Sequence, residues 1–164
     1  MNLHARRILC FALIQCLFDY ANSAWCNNLS KSEQKKLTII QNKMVRFILC
    51  LDPRSHIGHA QLSKVSLLNV NQRSKQLMLH HVHKIYYSRE NHYITTNFNL
   101  VRDLHDHETR QRTFNFVLPE NGSLIENCFY YNAIKFWNSL PNDIKAIRDF
   151  SSFKRVLKEH LSIE

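Results

Sequence analysis

The sequence predicts a mainly α protein: a single domain of about six helices, with a short β-hairpin near residues 113–126 as the one strand candidate. Three observations predict it. The chain has 2 glycines and 3 prolines in 164 residues, too few backbone breakers for a many-turned β sandwich. Apolar residues make up 45 %, enough to build a core and too many for wholesale disorder. Those apolar residues also recur at helical spacing through most of the chain.

The first helix is expected from Leu3 to about Ala21. Leu9, Leu13, Leu17 and Tyr20 repeat along it, and Phe11, Ile14 and Phe18 widen the stripe. A helix apolar over most of its girth is expected to be buried, with Trp25 folding back over its exit. The second helix starts at Ser30-Lys31-Ser32-Glu33, a capping box in which the Ser oxygen takes the N3 amide and the Glu reaches back. Its inner stripe reads Leu37, Ile40, Met44, Phe47, Ile48 and Leu51, and Asp52-Pro53 stops it. A short third helix spans about Ile57 to Leu68, on Leu62, Val65 and Leu68. After Asn69-Val70-Asn71, a fourth runs from about Gln72 to Tyr87, with Leu77, His81 and Ile85 on its face and Met78 and Val82 flanking.

Residues 88–126 are irregular and polar, although Phe114, Phe116 and Leu118 alternate ahead of the turn signal Asn121-Gly122. The fifth helix covers about Cys128 to Ser139, with Phe129, Ala133, Phe136, Trp137 and Leu140 inward. The sixth begins near Ser151 or Ser152, on Phe153, Leu157 and Leu161. The expected core holds Leu13, Leu17, Tyr20, Trp25, Ile40, Met44, Phe47, Leu68, Leu77, Phe129, Phe136, Trp137, Phe153 and Leu157.

The phrase FWNSLPNDI, Phe136 to Ile144, reads as a helix–corner–helix staple. Leu140 precedes Pro141 and is pushed toward extended geometry, which ends the fifth helix. Pro141 suits the first turn of a new short helix, where Asp143 meets the positive end of the dipole. Asn138 is expected to bond backbone across the corner while Trp137 fills the core.

Several chemistries are excluded. Gly58 and Gly122 alone build neither a P-loop nor a dinucleotide-binding turn. His105-Asp106-His107, the trio His80, His81 and His83, and the pair His56 and His59 lack a thiolate pair or HExxH, so no metal and no cofactor is expected. Asp103, Asp106 and Glu108 sit in a polar loop among arginines, and no nucleophile elbow is present, so no catalytic residue is assigned. Asp19 is the one carboxylate in a core-like element, and it stands alone.

Net charge is +9, weighted to the N-terminal two thirds. This points to a polyanion, RNA or DNA, held through phosphates without sequence reading. The candidate contacts are Arg6, Arg7, Lys35, Lys36, Lys43, Arg46, Arg73 and Lys84. Tyr86, Tyr87 and Tyr93, interleaved with Lys84 and Arg89, are candidates for base stacking. Five cysteines without a CxxC favour a reducing, intracellular compartment. The rival is a secreted helical protein: basic Met1 to Arg7, apolar Ile8 to Phe18 and the signal-peptidase-like Ala21 to Ala24 precede sequons at Asn28 and Asn121. The apolar run is too short to span a bilayer, so no membrane partner is expected.

Five phrases carry a resemblance. They are FALIQCLFDYANSAW, LTIIQNKMVRFIL, LSKVSLLNVNQR, HETR and FYYNAIKFWNSLPNDIK, in that order between about Phe11 and Leu157. Together the chain resembles the C-terminal region, following palm and thumb, of reverse transcriptases from LINE-type (non-LTR) retrotransposons, especially Jockey-like elements. The family carries glycine where this chain has Ala21 and Cys26. Its Ala-Asp-Asp metal-binding motif has no counterpart here, since no two aspartates are adjacent. The resemblance implies a non-catalytic remnant without polymerase, nuclease or hydrolase activity of its own. The intact region would support the thumb and help hold template RNA or target DNA. Loss of palm and thumb is expected to uncover an apolar face, along the first helix, through which a protein-interaction module would dock.

Overall fold

The computed structural model describes residues 1–88, 98–103, 113–119 and 128–163. The fold is mainly α, and its contacts gather into two compact units, Met1–Ser74 and Lys75–Ile163. The first holds α1 (Leu3–Cys10), a π-helical turn (Phe11–Gln15), α2 (Cys16–Asp19), α3 (Asn22–Trp25) running into a 3-10 turn (Cys26–Asn28), α4 (Lys31–Leu49) and α5 (His59–Lys64). Helix α6 (Val70–Ser88) contributes its first turn to this unit and the remainder to the second. The second unit continues with a 3-10 turn (Val101–Asp103), α7 (Phe129–Ser139), α8 (Asn142–Lys145) and α9 (Phe150–Ile163).

Side-chain caps fix several helix starts. Asn2 accepts the Ala5 amide at 2.8 Å. The Ser30 capping box forms as the sequence predicts: the Glu33 amide reaches the Ser30 hydroxyl at 3.3 Å, and the Ser30 amide donates to the Glu33 carboxylate at 2.8 Å. These bonds to the charged form hold the Glu33 pKa below its usual range. Asn69 and Gln72 exchange the same reciprocal bonds at 2.9 and 3.1 Å, so α6 starts at Val70 rather than at Gln72. Asp149 caps α9 by accepting the Ser152 amide at 2.6 Å. At the other end of α4, Cys50 turns left-handed (φ 53°) and the Leu51 amide returns to Arg46 O at 3.0 Å, a Schellman-type stop ahead of Pro53.

Ala21, between α2 and α3, is also left-handed (φ 46°, ψ 26°). A Cβ is strained there and glycine is not. Ala21→Gly is therefore expected to stabilise the protein by about 1 kcal/mol, read as a higher urea midpoint at unchanged slope. A midpoint that falls would show that this turn does not select for glycine.

In the first unit Cys10, Met44, Val45, Ile48, Ile57 and Val65 form the core, with Ile14, Leu49, Leu62 and Leu67 against it. This corrects the expected inner stripes. Leu9, Leu13, Leu17 and Tyr20 face outward, Leu13 being 61 % and Tyr20 79 % exposed. Residues 8–18 are apolar over most of the helix girth, so spacing alone cannot say which face packs, and the π turn adds a residue that shifts the register. On α4, Ile40 and Phe47 are exposed, while Gln41 is buried and donates to Leu68 O at 2.9 Å. That one polar anchor rotates the packed face to Gln41, Met44, Val45 and Ile48. Trp25 is half-buried rather than core, but it does fold back, donating Nε1–H to Tyr20 O at 2.8 Å.

In the second unit α6 turns Met78, Leu79, Val82 and His83 inward, while Leu77 is half-buried and His81 exposed. His83 stacks on Phe153 with centroids 4.2 Å apart and bonds Ile147 O at 2.7 Å. Burial lowers its pKa, which favours the neutral ring. Trp137, Phe153 and Leu157 are fully buried as expected, and Phe129 and Phe136 are half-buried.

The corner phrase works as a staple, with different partners. Asn138 does not bond across the corner: its Oδ1 accepts the Phe116 amide at 3.0 Å and its Nδ2 donates to Phe116 O at 2.8 Å. Trp137 Nε1–H donates to Phe114 O at 2.7 Å. Helix α7 thus holds residues 113–119 with one side-chain amide and one indole. Pro141 flanks α8 in extended geometry (ψ 143°) instead of forming its first turn, and its carbonyl accepts the Ile144 and Lys145 amides. Phe116 makes an isolated antiparallel bridge to Leu100. The expected hairpin turn, Asn121-Gly122, lies outside the described residues.

Candidate nucleic-acid interface

The eight candidate cations divide by what already holds them. Three serve the fold. Arg6 donates its Nε–H to Ile48 O at 3.0 Å and its Nη1 to the Cys50 sulfur, tying α1 to the end of α4. Arg46 donates to Ser55 O at 2.9 Å and anchors the turn after α4. Arg73 forms a two-pronged pair with Asp19, Nε to Oδ1 at 3.0 Å and Nη2 to Oδ2 at 2.6 Å. Gln15 Nε2 adds a bond to Asp19 Oδ1 at 2.9 Å.

Sequence reasoning missed this network, and its signal was Asp19 itself. A lone carboxylate in an apolar helix needs a cation, and helical spacing does not say where in the chain that cation lies.

Of the other five, four are lysines exposed to water, and Arg7 is half-buried. Lys35, Lys36 and Lys43 are exposed on α4, with Lys31 exposed at its start. Lys36 and Lys43, seven positions apart, share one face, with Ile39, Ile40 and Phe47 exposed beside them. The only acid on α4 is Glu33, engaged in the capping box. Arg7 lies over the Phe11 ring at 5.2 Å, and Lys84, exposed on α6, over the Phe150 ring at 5.0 Å. Of the candidate cations in the first unit, those exposed to water all lie on α4.

The stacking candidates are differently placed. Tyr86 lies against Trp137 at 5.7 Å and donates to Thr113 O at 3.2 Å. Tyr87 donates to Lys145 O at 2.6 Å. Both line a cavity of about 700 Å³ with Phe114 and Arg148, so they serve the core edge first. Tyr93 and Arg89 lie outside the described residues, as do His105, Asp106, His107 and Glu108.

Among the described residues no group of three or more His, Cys, Asp or Glu side chains is arranged to hold a metal ion. The cysteines are free thiols, and burial raises the pKa of Cys10 and Cys26. No protein-family profile, no curated protein and no solved structure matches the chain.

Proposed function

We propose that the chain is a non-catalytic remnant of the C-terminal region of a non-LTR retrotransposon reverse transcriptase, retaining nonspecific RNA or DNA binding through α4. The observation that carries the binding reading is the exposed trio Lys35, Lys36 and Lys43 on a helix whose one acid is capped. The ancestry reading rests on the five ordered phrases. It gains support from Ala21, which holds a left-handed conformation where the family carries glycine. A chain drifting away from a glycine-bearing helix end would retain that backbone shape and pay in strain. With no adjacent aspartates, the chain has no motif for the two-metal chemistry of polymerisation.

Salt titration of labelled RNA and duplex DNA tests the binding. Three phosphate contacts give a slope of log K on log salt of about −3 on duplex and about −2 on single strands. Lys36→Glu with Lys43→Glu is expected to weaken binding to all sequences alike, since phosphate contacts carry no base information. Absence of binding even at low salt sinks this reading and leaves the chain as a protein-interaction module. That second reading is favoured by the exposed apolar face of α1.

A further inference from the structure

The cavity of the second unit, about 700 Å³, is lined among the described residues by Tyr86, Tyr87, Leu100, Thr113, Phe114 and Arg148, with Ala146 at its edge. Its size falls within the roughly 300–1,000 Å³ of small-ligand sites. The walls are held from behind. Tyr86 packs on Trp137 at 5.7 Å and Phe116 at 5.9 Å, and Tyr87 on His83 at 4.7 Å. The Phe114 carbonyl is pinned by the Trp137 indole. The Val101 amide donates to Asn115 O at 3.0 Å, which ties the Leu100 wall to residues 113–119. Rings already fixed in this way leave little to be ordered when a ligand enters.

The polar groups of the cavity define what it can take. Arg148 is exposed, and it donates no hydrogen bond and joins no ion pair among the described residues. Arg6, Arg46 and Arg73, by contrast, brace the first unit. Burial raises the Tyr87 pKa, Tyr86 adds to the rise, and the positive charge of Arg148 offsets part of it, which puts the guanidinium near the Tyr87 phenol. None of these lining residues is acidic, and the carboxylate of adjacent Asp149 is engaged by the Ser152 amide. One guanidinium suits one oxyanion, held through two parallel N–H bonds. The hydroxyl hydrogens of Tyr86 and Tyr87 are committed to Thr113 O at 3.2 Å and Lys145 O at 2.6 Å, so the phenolic oxygens remain as acceptors only. A ring bound here therefore needs donors, which an amino-bearing base has and a simple aromatic carboxylate lacks. We propose that the cavity binds a free mononucleotide whose base carries an amino group. The base lies against Tyr86, Tyr87 and Phe114, its amino group donates to a phenolic oxygen, and Arg148 takes the phosphate. The site lies wholly within the second unit, so it goes beyond the reading of α4 and does not depend on it.

The test is equilibrium dialysis of the full chain against AMP, UMP, adenosine and inorganic phosphate. AMP is expected to bind, with UMP, adenosine and phosphate each weaker by about tenfold or more. Arg148→Gln removes the anion contact at an exposed position and is expected to lower AMP affinity about tenfold, with adenosine unchanged. Ala146→Phe fills the cavity from an exposed lining position and takes away none of its rings. It is expected to abolish AMP binding at unchanged helical circular dichroism. Absence of binding at millimolar AMP overturns the proposal. So does UMP or phosphate binding as tightly as AMP, or a folded Ala146→Phe chain that binds like wild type. A diadenylate that binds more tightly than AMP overturns the free nucleotide in favour of a strand end. Mononucleotides read this cavity and salt titration of long strands reads α4, so either site can fail without the other.

Discussion

Trp137→Ala is expected to destabilise the second unit by about 3–5 kcal/mol, the largest single-residue effect in the chain. Three losses add. The indole is fully buried, so its removal opens a cavity that the surrounding rings close only partly. Its centroid lies 5.7 Å from Tyr86, 6.1 Å from Phe153 and 6.2 Å from Phe116, and each of these rings loses a neighbour. The Phe114 carbonyl also loses its 2.7 Å donor, which loosens residues 113–119 from α7. Trp137→Phe keeps most of the apolar volume and forfeits the donor, so it is expected to cost clearly less. Urea unfolding followed by far-UV circular dichroism measures both. An alanine variant within about 1 kcal/mol of wild type would show that the corner phrase is not the keystone of this unit.

The parts of the fold legible in the sequence are those with a local cause. Ser30 and Glu33 satisfy each other within one turn, so the start of α4 follows from four residues. Trp137 lies on a helix with one clearly apolar face, and its burial follows from that spacing. What stayed illegible has a non-local cause. Residues 8–18 are apolar over most of the helix girth, and which side packs is settled by α4, through contacts more than thirty positions away such as Arg6 to Ile48. On α4 the packed face is set by a bond from Gln41 to Leu68, and hydropathy gives a glutamine no inward direction. Of the candidate interface, Lys35, Lys36 and Lys43 were legible because lysine mostly stays solvated. Arg6, Arg46 and Arg73 were not separable from them, because only the tertiary partner turns an arginine from a phosphate contact into a brace. Hydropathy assigns Leu13, Leu17 and Tyr20 to the core, whereas an uncovered apolar face along the first helix requires them outside. Both readings cannot hold, and the structure turns the leucines outward.

Lys145 shows most clearly how far a residue type can mislead, and it yields a prediction with a definite sign. Hydropathy places a lysine in the last turn of α8 at the surface, yet this one is fully buried. Its Nζ donates to Asn115 Oδ1 at 2.8 Å and to the Asn138 carbonyl at 3.0 Å, joining residues 113–119 to the end of α7. Both partners are neutral, so the bonds satisfy the ammonium hydrogens without compensating its charge. Loss of hydration disfavours the charged form and lowers the pKa from 10.5 to about 8. Below pH 8 the amine is protonated in both folded and unfolded chains, and the folded state carries the full burial cost. Between pH 8 and 10.5 the folded chain releases this proton while the unfolded chain keeps it, so stability rises with pH across that window. The gain is about 1–3 kcal/mol. The thiols of buried Cys10 and half-buried Cys26 and the phenol of Tyr87, whose pKa values burial raises, act in the opposite direction as pH climbs, so the wild-type curve alone does not isolate the amine. The difference between wild type and Lys145→Met does, because methionine matches the length of the stem without a titrating group. That difference, taken from urea unfolding at intervals from pH 7 to 10.5, is expected to shift in favour of wild type as pH rises. A flat difference would mean that the amine is hydrated in the folded state and does not serve as a dry brace between Asn115 and Asn138.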